Sequence, residues 1–140
     1  MSISAETEYI VSCDASMLQF DSICKLLSTT YWAADRSPEV IRTAMDNSVC
    51  FGVYRLGVQV GFARVVSDFA TVYYVADVII SEAHRGKGLG KQLIANISQD
   101  ERFAPLMGLL ITRDAQGLYA QFGFVQDGER LMMKPRDGQV

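Results

Sequence analysis

Between Val72 and Ile97 the spacing of apolar residues changes period, and this restricts the fold more than any other feature of the chain. Residues 72–81, VYYVADVIIS, are mostly β-branched, aromatic or aliphatic, which suits a strand. After them Leu89, Leu93, Ile94 and Ile97 recur on one helical face and predict a helix to about Glu101. At the junction stands HRGKGLGK, residues 84–91, where Gly86, Gly88 and Gly90 alternate with Lys87 and Leu89 between Arg85 and Lys91. Glycine is costly inside a helix, about 1 kcal/mol each relative to alanine. At a helix start it lets φ turn positive and lets another molecule approach the backbone. The first amides of that helix have no intrahelical acceptor and, with the helix dipole, favour an anion. With Arg85, Lys87 and Lys91 added, the loop reads as a phosphate cradle.

The rest of the chain supplies the frame for this junction. Residues 8–13 form a short strand candidate. Phe20, Ile23, Cys24, Leu27 and Tyr31 then follow helical spacing, with Asp14 or Ser16 as N-cap. Ser37-Pro38-Glu39 opens a second, short helix through Ile41 and Met45. Val49, Phe51 and Val53 alternate, as do Val58, Val60 and Phe62, with Arg55-Leu56-Gly57 between them as a hairpin. With residues 72–81 they predict an antiparallel meander. GLLIT, residues 108–112, is a fully apolar strand beyond the glycine-led helix, and that crossover implies parallel pairing. A short helix from Asp114-Ala115 through Tyr119 and Phe122 ends at Gly123. Residues 124–126 and 131–134 predict two closing strands. The order is β-α-α-β-β-β-α-β-α-β-β: an α+β fold, sandwich-like, whose mixed, mostly antiparallel sheet has a central parallel pair.

At 140 residues the chain is expected to be one domain spanning 1–140. Its 49% apolar content fits a globular core, and its net charge of −3 argues against a general nucleic-acid binder. Cys13, Cys24 and Cys50 are odd in number and form no CxxC pair, so neither a disulfide framework nor a metal site is expected. The expectation is a reducing compartment, with no signal peptide, no membrane span and a cytoplasmic location.

Two common phosphate loops fail on spacing. GxxxxGK[ST] fails because Gly86 and Gly90 are one residue too close and Gln92 follows Lys91. GxGxxG fails because its third glycine would fall on Lys91 or Leu93. Arg85-Gly86-Lys87-Gly88-Leu89-Gly90 instead resembles the [RQ]xxGx[GA] signature of the GNAT acyltransferase superfamily. Asp77-Val78-Ile79-Ile80 resembles that family's strand before the loop. Asp114-Ala115, Leu118-Tyr119 and Phe122-Gly123-Phe124 resemble its second motif, and the element order extends the resemblance over nearly the whole chain. Glu82 departs from the pattern, standing where many members have proline.

The resemblance implies acetyl-coenzyme A as cosubstrate, no metal, and acyl transfer to an amine by direct attack. It assigns the pyrophosphate to Arg85, Gly86, Lys87, Gly88, Leu89, Gly90 and Lys91, with Asp114 also on the cofactor side. The pantetheine arm would pair with backbone at Val78, Ile79 and Ile80, where the parallel strands splay apart; Leu109, Leu110 and Ile111 are compatible with such a slot. A bulge amide, at Val78 or Ile79, would meet the developing oxyanion. Tyr119 matches the family's general acid. The base is open between Asp77, Glu129 and ordered water; strand parity could also give Asp77 a purely structural hydrogen bond. His84 reads as a loop residue beside the phosphates. For the acceptor, a small-molecule or peptide amine, Tyr31, Trp32, Tyr73 and Tyr74 could line a cleft or cap the core, and Asp35, Asp68 and Asp77 could attract a cation. No membrane or nucleic-acid partner is expected, and the chain would act as a monomer or homodimer. The competing reading is a non-catalytic acyl-coenzyme A sensor.

Overall fold

The computed structural model describes residues 2–4 and 8–137. Six strands form one sheet in chain order: β1 Ser2–Ser4, β2 Tyr9–Ser12, β3 Val49–Arg55, β4 Val58–Ser67, β5 Val72–Ile80 and β6 Met107–Leu110. Neighbours are antiparallel up to β5, and β5 pairs with β6 in parallel. Helices α1 Phe20–Ser28 and α2 Pro38–Asp46 cover one face, while α3 Leu89–Gln99 and the short α4 Gln116–Ala120 cover the other. This is the expected α+β sandwich with a mixed, mostly antiparallel sheet.

Local sequence explains most boundaries. Ser37 accepts a hydrogen bond from the Val40 amide and Pro38 takes the first helical position, so α2 starts where predicted. Leu56 and Gly57 both have positive φ, 50° and 80°, the geometry that closes a two-residue hairpin between β3 and β4. Asp14 caps a 3-10 turn, Ala15–Met17, rather than α1 itself. Because α1 ends at Ser28, Tyr31 and Trp32 lie in the turn beyond it and not on its last turn.

Two expectations fail at the sheet margins. β1 adds a strand that no alternation announced. At the other margin residues 124–126 and 131–134 form no strand, and Val125, Leu131, Met132 and Met133 are exposed. Alternation records which way side chains point, but a strand also needs a partner edge. Phe124 instead turns back into the core, edge-on to Tyr73 and Tyr119. Consequently the parallel pair lies at the edge of the sheet, not in its centre.

The core is split by the sheet. Val11, Val53, Val65, Tyr73, Val75, Leu93, Ile94 and Phe103 pack beneath α3; Ile23, Leu27, Ile41, Phe62 and Ile79 pack beneath α1 and α2. Tyr54 is an oddity of this core. Its hydroxyl is buried without a partner among the described residues, and burial pushes its pKa up to about 12. It fits only because residue 52 is glycine, where a Cβ would come within 2.4 Å of that oxygen. Tyr54→Phe removes an unsatisfied group and keeps the ring, so urea denaturation should show unchanged stability or a gain of about 1 kcal/mol. A clear loss would mean that the hydroxyl has found an acceptor.

Candidate active site

The antiparallel ladder between β4 and β5 breaks in one place. Gly61 pairs with Ile80 and Phe62 with Ile79, but Arg64 pairs with Ala76. Asp77 and Val78 therefore face Ala63 alone, a β-bulge, and Asp77 takes φ +55°. The extra residue switches strand parity. Tyr73 and Val75 point to the α3 face before it, Val78 and Ile80 after it, while Ile79 joins the opposite layer. On the other side of β5 the pairing with β6 stops at Val75 and Leu110. From Ala76 to Ile80 no residue of β6 is in register with β5, so the two strands part beside the bulge.

The glycine loop begins where this opening ends. Glu82–His84 make a 3-10 turn, and Arg85 folds back so that its Nε donates to the Ile80 carbonyl at 3.0 Å. Gly86 and Gly88 have φ of +79° and +76°, the left-handed region that glycine enters freely. Gly88 is the N-cap of α3 and has no side chain to offer, and the first turn of α3 carries no acidic residue. Among the described residues no backbone carbonyl accepts from the amides of residues 86–91. Gly90 has ordinary helical φ, and a Cβ there would touch only Leu118, at 3.9 Å. Packing within the chain therefore does not demand glycine at 90. The donor set, with exposed Arg85, Lys87 and Lys91 around it, fits a polyanion such as a pyrophosphate.

Comparison with known proteins agrees with this geometry. The description "Acetyltransferase (GNAT) domain" matches residues 46–126. A solved GNAT-family candidate acetyltransferase from Xanthomonas campestris pv. campestris is 37% identical, covers 96% of this chain and 95% of its own, and superposes with a TM-score of 0.87. This chain belongs to the GNAT acetyltransferase family. A candidate acetyltransferase from Gibberella zeae is 29% identical over 136 residues, covering 81% of this chain and 77% of that one. A Staphylococcus aureus protein of unknown function, 19% identical with a TM-score of 0.76, covers 91% of this chain and 97% of its own and shares the fold.

In this GNAT domain Tyr119 is buried in the α3-side core, whose margin includes Val78, Ile80 and Leu110. Gly123, at φ +90°, reverses the chain after α4, and the Phe124 ring returns to sit 6.0 Å from that of Tyr119. Burial pushes the Tyr119 pKa up to about 12, so the phenol keeps its proton at neutral pH. Asp114 is exposed ahead of α4, and the Ala115 amide is taken instead by Thr112 Oγ1. Leu110 faces the α3-side core, whereas Leu109 and Ile111 are exposed. His84 is tied to β2, its Nδ1 2.6 Å from the Tyr9 hydroxyl.

Asp77 needs correction as a base. Its carboxylate lies on the α1–α2 face, with Oδ2 accepting from Arg36 NH1 at 2.7 Å and Arg64 Nε at 2.9 Å, and Oδ1 accepting from Trp32 Nε1 at 3.0 Å. Burial works to raise its pKa, but hydrogen bonds and charge from Arg36 and Arg64 outweigh it and hold the carboxyl below its ordinary value. A carboxylate so engaged is a poor proton acceptor. Glu129 is exposed in a turn rather than in a closing strand pair. Tyr73 is a core residue stacked on Phe103 and pressed against Gly108, not part of an open cleft. Asp68 caps the β4–β5 turn, at the end of β5 remote from the bulge, and Asp35 is exposed after Trp32. Sequence reasoning missed Arg36 and Arg64. The available signal was a lone arginine in the apolar run of β4 facing a lone aspartate in that of β5, since charges in buried strands are usually paired.

Among the described residues no helix is long and apolar enough to cross a membrane, and no cluster of His, Cys, Asp or Glu could hold a metal. A hollow of about 550 Å³ lies at the C-terminal end of α3 against β2, away from the glycine loop.

Proposed function

We propose that this domain transfers an acetyl group from acetyl-coenzyme A to a primary amine of a small molecule or peptide. The observation that carries the reading is the run of amides at residues 86–91 that no backbone carbonyl claims among the described residues, at the end of the stretch where β5 and β6 part. When bound, the cosubstrate supplies an activated thioester. Arg85, Lys87, Lys91 and the loop amides bind its phosphates, with Asp114 at the same end, and Val78, Ile79 and Ile80 offer strand backbone to the pantetheine arm. The Val78 amide, at the bulge, donates to negative charge developing on the carbonyl oxygen. Direct attack needs a neutral amine, and with Asp77 paired the proton leaves through water.

Tyr119 serves the leaving sulfur. Its pKa of about 12 lies well above the ~8.5 of an ordinary thiol, so complete proton transfer would run uphill. A hydrogen bond from its hydroxyl to the thiolate fits better, and the amine's own proton neutralises the products. The free cysteines fit a cytoplasmic setting.

The test is release of free thiol from acetyl-coenzyme A against a panel of amines. Tyr119→Phe is expected to lower kcat by about 10²-fold or more with coenzyme A affinity retained. Unchanged turnover across the pH range would remove Tyr119 from the mechanism. Coenzyme A binding without turnover of any amine would favour a sensor.

A further inference from the structure

The cluster around Asp77 holds two guanidinium groups against one carboxylate, an excess of one positive charge. The side chains are largely enclosed, Arg36 at 16% exposure and Arg64 at 15%. Arg64 is spent on both sides, its NH1 donating to Ser48 Oγ at 3.2 Å in addition to its bond with Asp77. Arg36 is not. A guanidinium has five N–H donors in a planar fork. Among the described residues the Arg36 side chain makes one hydrogen bond, from NH1 to Asp77. A mostly buried guanidinium with one of its five donors engaged, next to an already neutralised carboxylate, is suited to a second anion.

Its place says which anion. Asp77 is the bulge residue, so the cluster abuts the Val78 amide from the α1–α2 face, opposite α3 and its glycine loop. On that face β6 exposes Leu109, in register with Tyr74 three residues before Asp77, and the exposed Ile111 follows it, an uncovered apolar floor. At the rim Arg113, from the segment after β6, lies 3.8 Å over the ring of Tyr31, from the turn after α1. Resting on the acetyl-transfer reading above, we propose that the acceptor is an amine bearing a carboxylate close to its nitrogen and an apolar body. It is a free amino acid rather than a polyamine or a peptide terminus. Arg36 receives the carboxylate, which sets the amine over the bulge, and the apolar body lies along Leu109 and Ile111.

Trp32 is the sole tryptophan of the chain and donates to Asp77, so its fluorescence reports on this cluster without requiring turnover. The experiment titrates wild-type protein, saturated with coenzyme A, with N-acetylleucine, N-acetylleucinamide and N-acetylisoamylamine. Acetylation of leucine, leucinamide, leucylglycine and isoamylamine is measured in parallel. The expected result is a saturable Trp32 signal for N-acetylleucine, at least tenfold weaker for the two uncharged products. Leucine should likewise be preferred at least tenfold in kcat/KM. Arg36→Gln should abolish the preference through KM, and Arg36→Lys should restore part of it. Equal binding and turnover of the uncharged compounds, or a preference for leucylglycine, overturns this inference and leaves acetyl transfer standing. If calorimetry shows no coenzyme A binding at all, both fall.

Discussion

Replacing Asp77 by alanine is expected to lower the stability of the fold by about 3–5 kcal/mol, the usual result of stripping the partner from buried charges. The loss arises because Arg36 and Arg64 stay enclosed with nothing to balance them. Asp77→Asn keeps the shape and some hydrogen bonding but not the charge, so it should fall between alanine and wild type. Replacing Asp77 and Arg64 together with apolar residues should recover part of the loss, since the desolvation cost disappears with the pair. The pH dependence has a definite sign. The folded carboxyl sits below its unfolded value, so its stabilisation is complete above the unfolded pKa and fades as pH falls through the folded one. Acid unfolding of the wild type should thus include a component that Asp77→Ala lacks. Urea curves that place Asp77→Ala within 0.5 kcal/mol of wild type, an ordinary surface effect at ~0.5 kcal/mol, would show that the cluster is not structural.

On the acetyl-transfer proposal, the largest effect on acetyl-coenzyme A binding should come from Gly88→Ala. At φ +76° an alanine is strained by roughly 1–2 kcal/mol, and relief of that strain rotates the amides that open α3. Losing two such hydrogen bonds to a charged group, each worth about 1.5–3 kcal/mol, should raise the acetyl-coenzyme A Kd on the order of 10²-fold. Gly90→Ala is the control. Its φ is ordinary and its Cβ would meet only Leu118, so affinity should stay within a few-fold while the free protein gains up to about 1 kcal/mol from better helix propensity. Isothermal calorimetry on the two variants decides the matter. Equal affinities would mean that the left-handed turn at Gly88 does not shape the anion site.

How much of this was legible in the sequence depends on the range of the interaction involved. The glycine loop was legible because its constraints are local: period change, positive-φ glycines and helix N-terminus all fall between residues 81 and 91. The β3–β4 hairpin and the Ser37-Pro38 helix start were legible for the same reason. The role of Asp77 was not, because its partners arrive from residues 32, 36 and 64, and only the folded sheet and the turn after α1 bring them together. Tyr73 was misplaced because an aromatic on a strand looks the same whether it faces a cleft or the core. Its partners Phe103, Gly108 and Phe124 are remote in sequence. The closing strands failed because residues 131–134 have a strand's composition but no edge to join.

The bulge at Asp77 has a consequence for how the sequence can change. One inserted residue sets the phase of everything after it in β5, and that phase decides which layer receives Val78, Ile79 and Ile80. Flattening the bulge with every residue kept would restore a regular ladder, an apparent improvement in hydrogen bonding. It would also turn Val78 and Ile80 toward α1 and α2, Ile79 toward α3, and push the glycine loop on by one step of about 3.3 Å along the strand. Point substitutions in β5 can be graded by size and polarity. Single-residue insertions and deletions in the regularly paired part of β5 cannot, because each exchanges the two faces of the strand beyond it, and the site is assembled from both.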